Sequence, residues 1–146
     1  MIICWYTKSP TIGEDNMPLI RFDMLEGRSE TEITKILDVT HRVMVEAFQV
    51  PERDRYQIVS QHKPYEMIVQ DTGLGFSRSE NVLLISITSR HRTADQKQTF
   101  YKNLTNELEQ HCGITANDVM VSFTINGDED WSFGYGEAQF LTGKLT

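Results

Sequence analysis

A strand, a helix and a second strand follow one another twice in this chain, and a doubled βαβ unit leaves few folds open to it. From Leu19 to Leu25, Ile20, Phe22 and Met24 alternate with Arg21 and Asp23, the period of a strand with one well-buried face. Gly27-Arg28 turns the chain, and Ser29 with Glu32 forms a capping box ahead of Ile33, Ile36, Leu37, Thr40, Val43, Met44, Ala47 and Phe48, one face of a helix. Pro51 bars continuation of that helix, and Tyr56 to Ser60 reads as a strand around Ile58-Val59. The order then returns. Val82 to Ile87 is a near-continuous apolar run, the mark of a strand covered on both faces. Thr93 and Gln96 repeat the capping box, Phe100, Tyr101, Leu104 and Leu108 give an apolar stripe, and Gly113 closes a second helix. Val119, Val121, Phe123 and Ile125 alternate as a fourth strand. A slide of about 64 positions lays Pro18 on Val82, Ser29 on Thr93 and Asp54 on Asp118.

Two βαβ units with right-handed crossovers place both helices on one face of a four-stranded sheet, an α+β fold. The opposite face is then left bare. With no further chain to cover it, an oligomer is expected.

A chain of 146 residues accommodates one domain. We expect that domain over residues 18–146, with residues 1–17 an extension, whether leader, cloning remnant or misassigned start. The net charge of -7, with 14 Lys and Arg against 21 acids, argues against nucleic acid, whose phosphates require clustered cations. Cys4 and Cys112 lack zinc spacing and make no disulfide framework, which suits a reducing cytoplasm. The apolar opening from Met1 to Tyr6 lacks the basic flank of a signal peptide, and no run approaches the roughly 20 residues of a membrane span. His41, His62, His91 and His111 are scattered without metal spacing, so no metal is expected. Trp131, Phe133 and Phe140 among the glycines of the tail suggest a short hairpin packed on a neighbour or on a pocket wall.

Pro18 begins the first strand, and Arg90-His91-Arg92 leaves the third. With Val50-Pro51-Glu52-Arg53-Asp54-Arg55-Tyr56, Asp130-Trp131-Ser132-Phe133-Gly134 and Gln139-Phe140-Leu141-Thr142-Gly143, these stretches resemble the tautomerase superfamily, and within it the malonate semialdehyde decarboxylase family. The resemblance runs from Pro18 to Thr146. It implies a homotrimer, no cofactor, a small carboxylate substrate, catalytic Pro18, Asp54, Arg90 and Arg92, and an aromatic wall of Trp131, Phe133 and Phe140.

The chemistry of these residue types agrees with that implication. A free proline amine titrates near the α-amino range of about 7.7–8.0, so it can serve as general base or as a fixed cation beside a carbonyl oxygen. Two arginines at a strand end suit a carboxylate, whose geometry their planar forks match. An Asp54 carboxylate can hold or activate water. Other readings stay open on the residues alone: Pro18 as the first residue of an edge strand, the arginines as solvated, Asp54 as a turn or ion-pair partner. Three activities follow: a decarboxylase or hydratase of a 3-oxo or unsaturated acid, a tautomerase of 2-oxo or enol acids, and a non-catalytic scaffold whose Pro18 stays blocked by residues 1–17. A Pro18 nitrogen held in a peptide bond is neither acid, base nor nucleophile.

Overall fold

The computed structural model describes residues 18–145. Strand β1 is Leu19–Leu25, helix α1 Glu30–Phe48 and strand β2 Tyr56–His62; strand β3 Leu83–Ser89, helix α2 Ala94–Cys112 and strand β4 Val119–Ile125 repeat the unit. A short helix α3, Gln139–Thr142, follows. The sheet order is β2-β1-β3-β4, with β1 parallel to β2, β3 parallel to β4, and the two central strands antiparallel. The strand β2 runs past Ser60 to His62, because pairing with Leu25 carries it two residues beyond its apolar segment. The extension of residues 1–17 expected from the sequence lies outside the described residues.

Both capping boxes form. Ser29 Oγ accepts from the Glu32 N–H at 3.2 Å and Thr93 Oγ1 from the Gln96 N–H at 3.1 Å, satisfying donors that a helix start leaves open. Each helix ends in the left-handed region, α1 at Gln49 (φ 52°) and α2 at Gly113 (φ 66°). The glycine adopts it without a Cβ penalty, and its N–H reaches the Glu109 and Leu108 carbonyls.

The helices pack on one face of the sheet. Ile20, Phe22 and Met24 of β1 and Leu83, Ile85 and Ile87 of β3 are buried against Ile36, Val43 and Phe48 of α1 and Phe100, Leu104 and Leu108 of α2. Each such side chain contributes roughly 1.5–3 kcal/mol of apolar burial. Phe48, Phe100 and Phe123 join the layers, with ring centroids 5.2–6.0 Å apart.

The other face is less apolar than the sequence pattern suggests. Tyr56, Ile58 and Met120 are exposed there, but alternation also brings Arg21, Asp23, Ser86 and Ser122 to it, and His62 Nε2 lies 2.7 Å from Asp23 Oδ1. The run of Val82 to Ile87 hides this, since Ser86 interrupts it only on the open side. Among the described residues, no helix is long and apolar enough to cross a membrane.

Candidate active site

The antiparallel junction of β1 with β3 gathers the start of β1, the start of β2 and the ends of β3 and β4 at one end of the sheet. Leu19 pairs with Tyr56 on one side and Thr88 on the other, so one step further along buried Pro18 sits beside Arg55 and Ser89. Asp54 enters β2 and Arg90 leaves β3 at this same end.

Asp54 is held in the turn after α1, its N–H donating to the Pro51 carbonyl at 3.0 Å. His41 Nε2 lies 2.5 Å from the Glu52 carbonyl oxygen and braces that turn. The charged stretch around Asp54 divides in direction. Arg55 reaches out to Asp38 (2.8 Å) and Gln57 (2.7 Å), whereas Asp54 turns in and is only 8% exposed.

The two arginines leave β3 into different surroundings, with His91 exposed between them. The Arg90 guanidinium carbon lies 4.1 Å from the centre of the Phe140 ring, and its Nε is 2.8 Å from Asp128 Oδ1. Its Nη1 is buried and has no hydrogen-bond partner among the described residues. Arg92 is 1% exposed, its guanidinium carbon 5.1 Å from the Phe48 ring centre at the end of α1. A cation desolvated over an aromatic ring gains up to about 2 kcal/mol, which helps offset its loss of water.

The tail does not form a hairpin. Asp128–Asp130 is a 3-10 turn, and Trp131 to Phe133 runs extended into a glycine-bearing turn that leads to α3. The Gln139 amide closes this loop: its Oε1 accepts from the Phe133 N–H at 3.0 Å and its Nε2 donates to the Gly134 carbonyl at 2.9 Å. Gly134 has φ 143° and Gly136 φ 68°, positions that a side chain would strain. The loop sets Trp131 in parallel stacking on Phe133 (5.5 Å, 10°) and Phe133 edge-on to Phe140 (5.5 Å, 84°). Trp131 Nε1 donates to Asn126 Oδ1 at 2.7 Å, fixing the indole to the end of β4.

Trp131, Phe133, Phe140 and Arg90 therefore form one contiguous row, while Pro18 and Asp54 lie at the same sheet end and Arg92 is set against the helix layer. Tyr56, Asn126 and Asp128 were not singled out from the sequence. Tyr56 extends the row, its ring 6.1 Å from Phe133. No local pattern marks Tyr56 and Asp128, because their partners Phe133 and Arg90 are distant in the chain, and Asn126 pairs with Trp131 five residues on without a periodic signal.

Two family models, both described as tautomerase enzyme, match residues 18–77 and 54–134. The probable tautomerase YrdN of Bacillus subtilis strain 168 is 55% identical over 129 residues, covering 88% of this chain and all of that protein. The chain belongs to the tautomerase family. Within that family it is similar to a malonate semialdehyde decarboxylase solved in wild-type, mutant and inactivated forms, at 52% identity and TM-score 0.85, covering 88% of this chain and 99% of that one. A second malonate semialdehyde decarboxylase, inhibited by 3-bromopropiolate, is 40% identical with TM-score 0.83, covering 87% and 97%.

Proposed function

We propose that this protein is a cofactor-independent decarboxylase, with hydratase capacity, of a small 3-oxo or unsaturated carboxylic acid, and that malonate semialdehyde is the acid to test. One observation carries the reading. Arg90 is fixed on its face by Phe140 and at Nε by Asp128, and its buried Nη1 has no acceptor among the described residues, at the end of the sheet where Pro18 starts β1. A donor so placed suits a carboxylate.

Arg90 and Arg92 hold the carboxylate with its bond to the α-carbon perpendicular to the carbonyl plane. That bond breaks, carbon dioxide leaves, and the electron pair enters the carbonyl to give an enolate. Protonated Pro18 and one arginine stabilise the enolate oxygen, and protonation at carbon yields acetaldehyde. Asp54 holds the water or the substrate carbonyl, and in hydration it acts as the base. The row of Trp131, Phe133 and Phe140 excludes solvent from the reacting end.

This chemistry requires an unacylated Pro18 nitrogen. Support comes from the family-model match that begins at residue 18, and from a relative whose whole length aligns within 88% of this chain. Amino-terminal sequencing of protein from its native source tests this directly. The enzyme reading predicts a chain starting at Pro18, whereas a chain starting at Met1 supports the scaffold. Protein starting at Pro18 is then incubated with malonate semialdehyde; absence of acetaldehyde removes the decarboxylase assignment.

A second reading, a tautomerase of 2-oxo or enol acids, is favoured by the description of YrdN as a probable tautomerase. It needs neutral Pro18 as general base. Activity lost as pH falls through the proline pKa supports the base, and activity lost as pH rises supports the cation.

We also place the protein in the cytoplasm as a homotrimer, with Tyr56, Ile58 and Met120 on the covered face. Ile58→Asp should dissociate it in sedimentation analysis, and an unchanged mass would refute that placement.

A further inference from the structure

We propose that Asp128 is a positioning residue for Arg90. The inference rests on the reading of Arg90 as the carboxylate-binding group, and adds a residue that acts through it.

Arg90 Nε is 2.8 Å from Asp128 Oδ1, and Phe140 covers one guanidinium face at 4.1 Å. These two contacts remove the freedom that most weakens arginine recognition, rotation about the terminal torsions. The edge contact at Nε sets the direction of the plane, and the ring sets its tilt. What remains is the Nη end of the fork, with the buried Nη1 unpartnered among the described residues. The backbone supports the same placement: Ser89 Oγ donates to the Arg90 carbonyl at 2.7 Å, fixing the residue as it leaves β3.

Asp128 is well placed to orient without being essential to the fold. Its side chain is half exposed, whereas that of Arg90 is 17% exposed, so the contact orders a mostly buried cation from the rim of the site. The 3-10 turn that carries it is closed by its own residues, Gly127 N–H donating to Asp130 Oδ2 at 2.8 Å. A carboxylate beside an arginine could instead act only as a competitor, screening charge that a substrate would otherwise feel. The two roles predict opposite signs. Removing a competitor tightens anion binding; removing an orienting group weakens it.

The test uses the full-length chain with malonate as probe, comparing wild type, Asp128→Asn and Asp128→Glu. Calorimetry gives the malonate affinity, and the nitrogen-15 correlation of the Arg90 Nε–H reports its hydrogen bond. Asp128→Asn is expected to weaken malonate binding by about tenfold and to shift and broaden the Nε–H signal, with the melting temperature retained. Asp128→Glu should restore part of both. Unchanged or tighter binding in Asp128→Asn overturns the proposal. If wild type binds malonate but protein starting at Pro18 yields no acetaldehyde from malonate semialdehyde, the decarboxylase reading falls while the positioning role stands on the binding difference. If wild type binds no malonate, the Nε–H signal decides, and a signal identical in wild type and Asp128→Asn overturns the proposal.

Discussion

Asp118 receives two hydrogen bonds from Ser79, one from its backbone N–H at 2.7 Å and one from its hydroxyl at 2.5 Å. In the repeat Asp118 stands where Asp54 stands in the first half, and Val82 stands where Pro18 does. The second half therefore carries a related carboxylate at its own sheet end, closed over by the segment before β3. Asn117 adds to the closure through the Ser77 carbonyl (2.7 Å), and Arg78 through the Asn117 carbonyl (2.7 Å). The two βαβ units share a scaffold, but their ends are put to different uses.

That closure predicts a stability role for Asp118. Asp118 is 1% exposed, and Asp118→Ala removes the charged acceptor of both Ser79 bonds, so it should cost about 2–3 kcal/mol in chemical denaturation. Ser79→Ala, which keeps the backbone bond, should cost about 1 kcal/mol. Equal costs for the two variants would show that the hydroxyl alone supports the closure.

The helix ends offer an independent check on the repeat. Gln49 holds φ 52° where the second unit has Gly113 at φ 66°, and a side chain in that region crowds the following carbonyl. Gln49→Gly should stabilise the protein by about 1 kcal/mol, and Gly113→Ala should destabilise it by a similar amount. Thermal denaturation of both variants measures the difference.

The setting of Arg92 over Phe48 makes its chemistry hard to replace. Arg92→Lys keeps the charge but loses the planar fork and its stacking, so kcat/KM should fall at least about 100-fold while stability changes by about 1–2 kcal/mol. His91→Ala, at the exposed position between the arginines, should stay within about 0.5 kcal/mol of wild type. Activity retained in Arg92→Lys would remove this arginine from the site.

Burial pushes the Cys112 thiol up, although Lys35, Arg28 and Arg42 oppose the shift. The neutral thiol is the form the fold favours. Its contribution to stability is therefore full below the ordinary thiol range and is lost as pH rises through the raised folded value. Alkylation of Cys112 near pH 7.5, followed by peptide mass mapping, should run slower than for a free thiol. A rate equal to the free thiol's would mean the burial is not sustained in solution.

Much of the fold could be read locally. Both capping boxes, the apolar stripes of the two helices and the glycine ending α2 depend on residues within one or two turns of each other, and these appear where the spacing puts them. β1 and β3, and α1 and α2, match in length and register across the repeat, while the second strands fall one residue out of step. The tail departs from the short hairpin that aromatics among glycines suggest. The loop instead closes through the Gln139 amide, whose bonds leave no trace in hydrophobic periodicity.

By itself the sequence determined the order of elements, the family and the residues with suitable chemistry, since periodicity, capping and motif spacing are properties of neighbouring residues. Only the tertiary structure decided how those residues are used. It set Arg90 between Asp128 and Phe140, drew Tyr56 to the aromatic row, buried Arg92 on Phe48, and shut Asp118 behind Ser79. The physical reason is common to all four. Each contact joins segments far apart in the chain, and which atoms meet there depends on the sheet register and on loops anchored by side-chain hydrogen bonds, neither of which a local pattern encodes.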